Sequence, residues 1–420
     1  MDKKYDVIIV GGGAAGLFCA AVYDVKVNGL ILEKTRDVGK KLLMSGSGQC
    51  NLTHGGDIKD FLDKYGEHGK KIRKALYGFN NLSAMSFFEE NGLPLFERED
   101  GKVFPKSLSA KDVRELLVTK SKANGFEIKY EQSVTSVQPI EEGNEGYKVI
   151  CGEESFLCHK LIIATGGCSY PTTGSDGSMF KVLDELGMVI VKPRPSIAPI
   201  HVQEYPYGEL SGISFSPAEL SVVKRQNSGE ESKSKNKKNQ KISCDDLLFT
   251  HNSFSGPVAI NMARYVSPGD VLCINYIPET NFDEIFVDIK KKVTKNSKQV
   301  VNFLIEYREG RLPKRFVETL CKRAGIDDEK KASSLTGSEI KELAKLICSD
   351  TFSISGTDGF QRAMATAGGV SLDEVNLSTM ESKRFPNMYF IGEVLDIDGD
   401  TGGYNLQFAW SSGYSASKSN

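Results

Sequence analysis

Three glycines, Gly11, Gly13 and Gly16, fall in the spacing G-x-G-x-x-G. They lie directly after the apolar run 5–10 (YDVIIV) and at the start of a helix-forming stretch opened by Ala14 and Ala15. The first glycine permits a tight turn, the second lets the backbone come up against a pyrophosphate, and the third lets helix pack on strand. A helix starting at such a turn offers free N–H groups and the positive end of its dipole to a phosphate. A second apolar run, 29–33 (GLILE), ends in Glu33, a carboxylate placed to accept hydrogen bonds from ribose hydroxyls. Strand, glycine turn, helix, strand and acid in that order describe a site for an adenosine dinucleotide.

Two further segments say which one. Ala164-Thr165-Gly166-Gly167 closes the apolar stretch KLIIAT, where two-dinucleotide flavoproteins turn sharply past their cofactor. Near the other end, Gly392-Glu393 precedes Thr401-Gly402-Gly403-Tyr404-Asn405-Leu406-Gln407 and the helix-forming FAWSSGYSA. In flavoproteins a late Gly-acid pair contacts the ribityl–pyrophosphate region, and the next helix aims its N-terminus at the isoalloxazine ring. There, about half a positive charge stabilises the anionic reduced flavin. Backbone N–H groups from Asn405 to Gln407 are expected at that end of the ring. The expected cofactor is FAD.

The elements that must position these groups are split along the chain. The runs 5–10 and 29–33 are too short for helices and end at glycine or acid, as buried parallel strands do; a helix over 14–25 joins them into one βαβ unit. Residues 126–165 read as several strands. From Lys192-Pro193-Arg194-Pro195 onward prolines recur, and alternation such as AELSVVK marks antiparallel β structure. Residues 281–350 turn helical and charged, and after 351 the glycine-rich, strand-like character returns. The fold class expected is α/β: a Rossmann-like FAD domain formed by 1–191 and 351–420, around an inserted β region at 192–280 and a helical insert at 281–350.

Composition narrows the partners. A chain of 420 residues is long enough for two or three cores. Its net charge of −2 supplies no general field for polyanions, so neither nucleic acid nor a membrane surface is an expected partner. The Lys-rich stretch 224–241 (KRQNSGEESKSKNKKNQK) has no interleaved aromatics for base stacking and reads as a solvated loop. Nine cysteines include no C-x-x-C pair, which fits free thiols in a reducing cytosol, and no apolar run is long enough to span a bilayer. A soluble, cytoplasmic protein is expected. Asp396-x-Asp398-x-Asp400 imitates a calcium loop, but Thr401 and Gln407 occupy its glycine and final-acid positions, so no metal is expected. Neither H-E-x-x-H nor G-x-S-x-G occurs.

Residues 39–53 (GKKLLMSGSGQCNLT), 249–257 (FTHNSFSGP), 365–376 (ATAGGVSLDEVN) and 392–413 together resemble the BaiN/YhiN-like flavoproteins, also called the aminoacetone-oxidase family. The resemblance implies non-covalent FAD in a domain split by an inserted β-barrel that carries a small helical insert. It implies cofactor contacts for Lys34, Lys41, Gly46, Gly48, Asn51 and Val134, beside Gly11 to Gly16, Glu33, Ala164 to Gly166, Gly392-Glu393 and Gly403 to Leu406. Cys50 and His251 lie inside family-like blocks and are candidates for the flavin's reacting face. Family members are described as amine oxidases and as reductases of conjugated ketones. Gln49 stands where the family usually has Arg, Ser47 replaces a glycine, and 178–180 and 252–254 also depart from its pattern.

The activity implied is two-electron redox chemistry: a hydride passes between flavin N5 and a small organic substrate or NAD(P)H. With one G-x-G-x-x-G in the chain, NAD(P)H has no second dinucleotide domain and would visit only transiently. O2 is the other possible electron partner, as acceptor from an oxidisable substrate. The alternative is a flavoprotein that binds RNA or a protein partner through 224–241 without turnover.

Overall fold

A computed structural model describes residues 3–140, 146–225 and 240–419. The chain divides into two compact units, Met1–Ser196 with Phe360–Asn420, and Ile197–Gly359. Residues 226–239, most of the Lys-rich stretch, lie outside the described residues.

In the first unit the run YDVIIV becomes the strand Lys3–Val10. It is apolar without alternation at its end because it is covered on both faces, with Ile8 and Ile9 fully buried. It pairs in parallel with Gly29–Leu32 on one side and Glu154–Ile163 on the other. Phe126–Lys129 extends the sheet beyond Gly29–Leu32, and Met388–Phe390 extends it beyond Glu154–Ile163, both again parallel. Five parallel strands therefore run in the order Met388, Glu154, Lys3, Gly29, Phe126, the last added strand coming from the far end of the chain.

The helix after the glycine turn, Ala14–Ala21, packs against the C-terminal helix Tyr404–Lys418. Gly413 makes the approach possible: a Cβ there would stand 3.2 Å from the Ala15 carbonyl oxygen and 3.3 Å from the Cys19 nitrogen. Phe18 and Trp410 meet with ring centroids 5.0 Å apart, and Trp410 Nε1 donates to the Leu52 carbonyl at 2.8 Å. The chain's two ends thus share one core.

In the second unit six antiparallel-paired strands close a barrel: Ile200–Val202, Phe254–Ser255, Gln240–Phe249, Ser214–Val223, Val271–Asn275 and Asp350–Thr357. Between the last two the chain forms the helices Phe282–Val293, Val300–Glu306, Lys314–Arg323 and Gly337–Cys348. A buried polar knot ties helices to barrel. The Asp350 carboxylate accepts two hydrogen bonds from Arg323, at 2.7 and 2.8 Å, one from Tyr276 at 3.1 Å, and one from Tyr207. Burial and then the Asp350 charge hold the Tyr207 hydroxyl well above its ordinary range, so it remains a donor. Removing one partner of a buried pair leaves the other charge unmatched, at a cost of about 3–5 kcal/mol. Arg323→Met should therefore destabilise this unit by that amount in urea unfolding, and Arg323→Lys by less. Equal stability of wild type and Met variant would show that the knot contributes nothing.

Candidate dinucleotide-binding site

The sheet register sets the site. Val10 lies opposite Leu32 and opposite Ile163, and Ile163 lies opposite Phe390. One transverse row of pairing thus releases Gly11, Glu33, Ala164 and, one residue later, Gly392 along the same carboxyl-end edge. That edge is where open parallel sheets place their ligands.

At the first of these ends, a Cβ on Gly16 would collide with the Gly11 carbonyl oxygen, so only glycine lets the helix start here. Gly13, by contrast, would have its Cβ meet nothing nearer than the Ala164 oxygen at 4.0 Å. It caps the helix with no side-chain hydrogen bond, and no acid stands in the first turn. The result is an uncapped, unshielded helix N-terminus. The buried Glu33 carboxylate accepts from Gly12 N–H at 2.9 Å and from Thr35 N–H at 2.8 Å, one bond per oxygen. Each oxygen keeps a lone pair for a hydroxyl donor. Glu131 and Gln132 bond back to the Thr35 and Glu33 carbonyls, two residues before the half-buried Val134. Lys34 reaches across to Asp176 at 2.5 Å and Ser178 at 3.0 Å.

Further along the row, Glu393 Oε2 pairs with Lys41 Nζ at 2.6 Å, while Oε1 accepts from Ser169 Oγ at 2.7 Å and Thr366 N–H at 2.9 Å. Lys41 also donates to Ser169. Around them three buried oxygens have no protein partner: Asn51 Oδ1, Thr165 Oγ1 and Ser175 Oγ. Such atoms are costly to bury unless something bonds to them, and all three lie next to or within segments that the sequence assigns to a cofactor. The loop leading to Asn51 is backbone-strained. Gly46, Ser47, Gly48 and Cys50 all take left-handed φ, at 54°, 57°, 88° and 61°.

The C-terminal helix begins after Gly403, itself left-handed at φ 97°. Gln407 N–H already bonds the Gly403 carbonyl at 2.9 Å, so the expected run of donors at Asn405 to Gln407 shifts back to Tyr404, Asn405 and Leu406. Asn405 has its side chain committed to Gly399, donating to its carbonyl at 2.8 Å and accepting from its N–H at 2.9 Å. That brace fixes the 399–405 turn. The donor set (a bare helix N-terminus, a carboxylate with spare lone pairs and three orphaned buried oxygens) fits a dinucleotide.

A family model described as HI0933-like protein Rossmann domain matches residues 5–419. The chain belongs to that family. Among curated relatives, the Haemophilus influenzae protein named "Ribosomal RNA dihydrouridine synthase" is 30% identical over 424 residues, covering 100% of this chain and 99% of the relative. The Escherichia coli protein of the same name is 29% identical over 99% of this chain and 98% of its own length. A Clostridium scindens "3-dehydro-bile acid delta(4,6)-reductase" is 26% identical over 98% and 97%.

In this HI0933-like chain the two candidates for the reacting face, Cys50 and His251, differ in burial. Cys50 is fully buried, and burial pushes its thiol up to about 12, which suits packing and not a thiolate nucleophile. His251 belongs to the barrel unit, exposed in the turn between Gln240–Phe249 and Phe254–Ser255. The segment 58–72 carries no motif to mark it, yet it packs on the start of the C-terminal helix: Tyr65 Oη donates to the Tyr404 carbonyl at 2.8 Å. Among the described residues no helix is long and apolar enough to cross a membrane, and no His, Cys, Asp and Glu group is arranged to hold a metal. Ser47 yields a direct test. A non-glycine residue in the left-handed region costs about 1–2 kcal/mol, offset in part by the chain entropy of glycine. Ser47→Gly should raise stability by roughly 0.5–1 kcal/mol in denaturant titration, and a loss of stability would mean that the hydroxyl is structural.

Proposed function

We propose that this protein holds FAD non-covalently along the strand-end row and reduces a C=C bond conjugated to a carbonyl. The observation that carries the reading is the row itself, occupied at every position by the groups such a cofactor requires. The named relatives supply the reaction class. Making dihydrouridine from uridine adds two hydrogens across the C=C bond conjugated to a ring carbonyl, and a delta(4,6)-reductase of a 3-dehydro bile acid does the same beside a ketone.

In this reading the amides at the start of Ala14–Ala21 bind the pyrophosphate, Glu33 takes the ribose hydroxyls, and Val134 and Lys34 flank the adenosine. Lys41, Asn51, Thr165 and Glu393 line the ribityl chain. Gly46 and Gly48 hold the loop open beside it, and Gly166 and Gly392 turn the backbone past it. When bound, FAD supplies the hydride. Tyr404, Asn405 and Leu406 present their N–H groups where negative charge gathers on reduction. NAD(P)H visits transiently as electron donor. Uridine in ribosomal RNA is the leading substrate, because the two relatives so named match at 29–30% identity, with a conjugated ketone as the second reading. A net charge of −2 argues against general RNA affinity and leaves recognition of one structured site open.

The test is anaerobic turnover with NADPH or NADH, offering ribosomal RNA from a strain lacking this protein, and separately a 3-oxo-4,6-diene steroid. A mass gain of two hydrogens on one uridine, or loss of the dienone absorbance, is the expected result. A flavin that NAD(P)H reduces but neither compound reoxidises sinks the reading. For the cofactor itself, Glu33→Ala removes charge-assisted hydrogen bonds worth roughly 1.5–3 kcal/mol each. FAD affinity should fall by about ten- to hundredfold in fluorescence titration, with the fold retained. An unchanged Kd would place the ribose elsewhere.

A further inference from the structure

The segment 58–72 is fastened to the residues after Glu393 by three successive contacts. Asp400 N–H donates to the Lys64 carbonyl at 2.8 Å, Tyr65 Oη donates to the Tyr404 carbonyl at 2.8 Å, and His68 Nε2 stands 3.9 Å from Asp396 Oδ2. His68 is thereby carried to a fixed place beside the turn that opens the C-terminal helix. Asp396 is itself anchored: its Oδ1 accepts from Gly368 N–H at 2.9 Å, and its own N–H donates to the Val370 carbonyl at 2.9 Å. On the same strand, Ala365–Val370, the Thr366 N–H goes to Glu393 at 2.9 Å. Two strand residues span about 6–7 Å. The amide that anchors Asp396 therefore lies one such step along the strand from the amide that anchors Glu393, the acid assigned above to the cofactor.

The second ring nitrogen, His68 Nδ1, is buried with no protein partner, although 31% of the imidazole side chain remains exposed. A buried polar atom left unbonded costs about 1–3 kcal/mol, so the site is built for something that meets it. In the imidazolium form Nε2–H faces Asp396 and Nδ1–H is left for a ligand.

We infer that His68 is the substrate-binding proton donor of this site, with Asp396 as its positioning residue. The inference rests on the reductase reading given above. Reduction of a conjugated carbonyl forms a C–H bond at the β-carbon with a hydride from reduced flavin, and the π electrons move toward the carbonyl oxygen. His68 Nδ1–H bonds that oxygen and passes its proton to it. The resulting enol relaxes to the saturated carbonyl, and Nδ1 takes a proton back from the water that replaces the departing product.

The probe is p-chlorophenol, whose phenolate has the charge and planarity of the enolate. Added to the oxidised FAD-loaded protein, it should give a long-wavelength charge-transfer band. His68→Asn puts an amide donor near the Nδ1 position and should keep the band with Kd within about threefold. His68→Gln reaches the Nε2 position instead and should weaken binding tenfold or more, at equal flavin occupancy. No band in the wild type, or one Kd shared by all three proteins, overturns the inference. A measurement on the wild type alone guards against misfolded variants. Diethylpyrocarbonate labelling of His68, mapped by mass spectrometry against the other four histidines, should be blocked by p-chlorophenol. Undiminished labelling overturns the inference as well. A His68-dependent band in a protein that reduces neither substrate supports the site and sinks the reductase reading. Turnover with an unchanged Kd in every variant does the reverse.

Discussion

The parallel pairing of Val10 with Leu32 and Ile163, and of Ile163 with Phe390, is the constraint from which the site follows. Side chains alternate along a strand with a period of two, so a slip of one residue in any of these ladders would send each side chain to the opposite covered face, against a layer it does not fit. The buried run on every strand forbids that slip. Because the register is locked, Gly11, Glu33 and Ala164 emerge at one level, with Gly392 one residue beyond. The turns that follow them need only local geometry, not long-range adjustment, to face a common edge. The precision of the site is inherited from the hydrophobic core.

That core is closed by residues hundreds of positions apart. Lys41 meets Glu393 at 2.6 Å, Thr53 Oγ1 donates to Gln407 at 2.6 Å, and the Trp410 indole reaches Leu52. None of these contacts can form until the inserted unit, Ile197–Gly359, has been looped out. Loop-closure cost grows only slowly with length, so the insertion is thermodynamically tolerable. Its penalty falls on folding speed, since contacts this distant in sequence must be found before they stabilise anything.

How much of this was legible depended on whether the signal was local. The glycine turn, Glu33 and the short buried strands could be read because each is a backbone requirement written into a few consecutive residues. The barrel's last strand, Asp350–Thr357, has its partners around 200 and 271, and nothing in its own eight residues reports that pairing. The sequence pattern puts the free amides one residue too late, because helix starts are set by the cap, here a left-handed Gly403. His68 was invisible for a different reason: it sits between short helices with no periodicity of its own, and its partner Asp396 lies in a distant segment. An orphaned ring nitrogen is a property of the packed chain alone.

A division between backbone and side-chain recognition accommodates relatives that are 26–30% identical to this chain and carry different substrate names. A pyrophosphate is met by amides and a helix end, which any sequence supplies once glycine stands where a Cβ would collide. Such a site survives wide substitution around it. On the proposed reading, substrate recognition falls to individual side chains such as His68, set on segments whose positions the parallel sheet does not dictate. The Lys41–Glu393 pair marks the boundary between the two regimes, tied to the sheet by the Thr366 amide and reaching the loop that precedes Asn51. On the proposed reading, substitutions on the sheet side of that pair act first on cofactor affinity, and those beyond it act first on substrate choice.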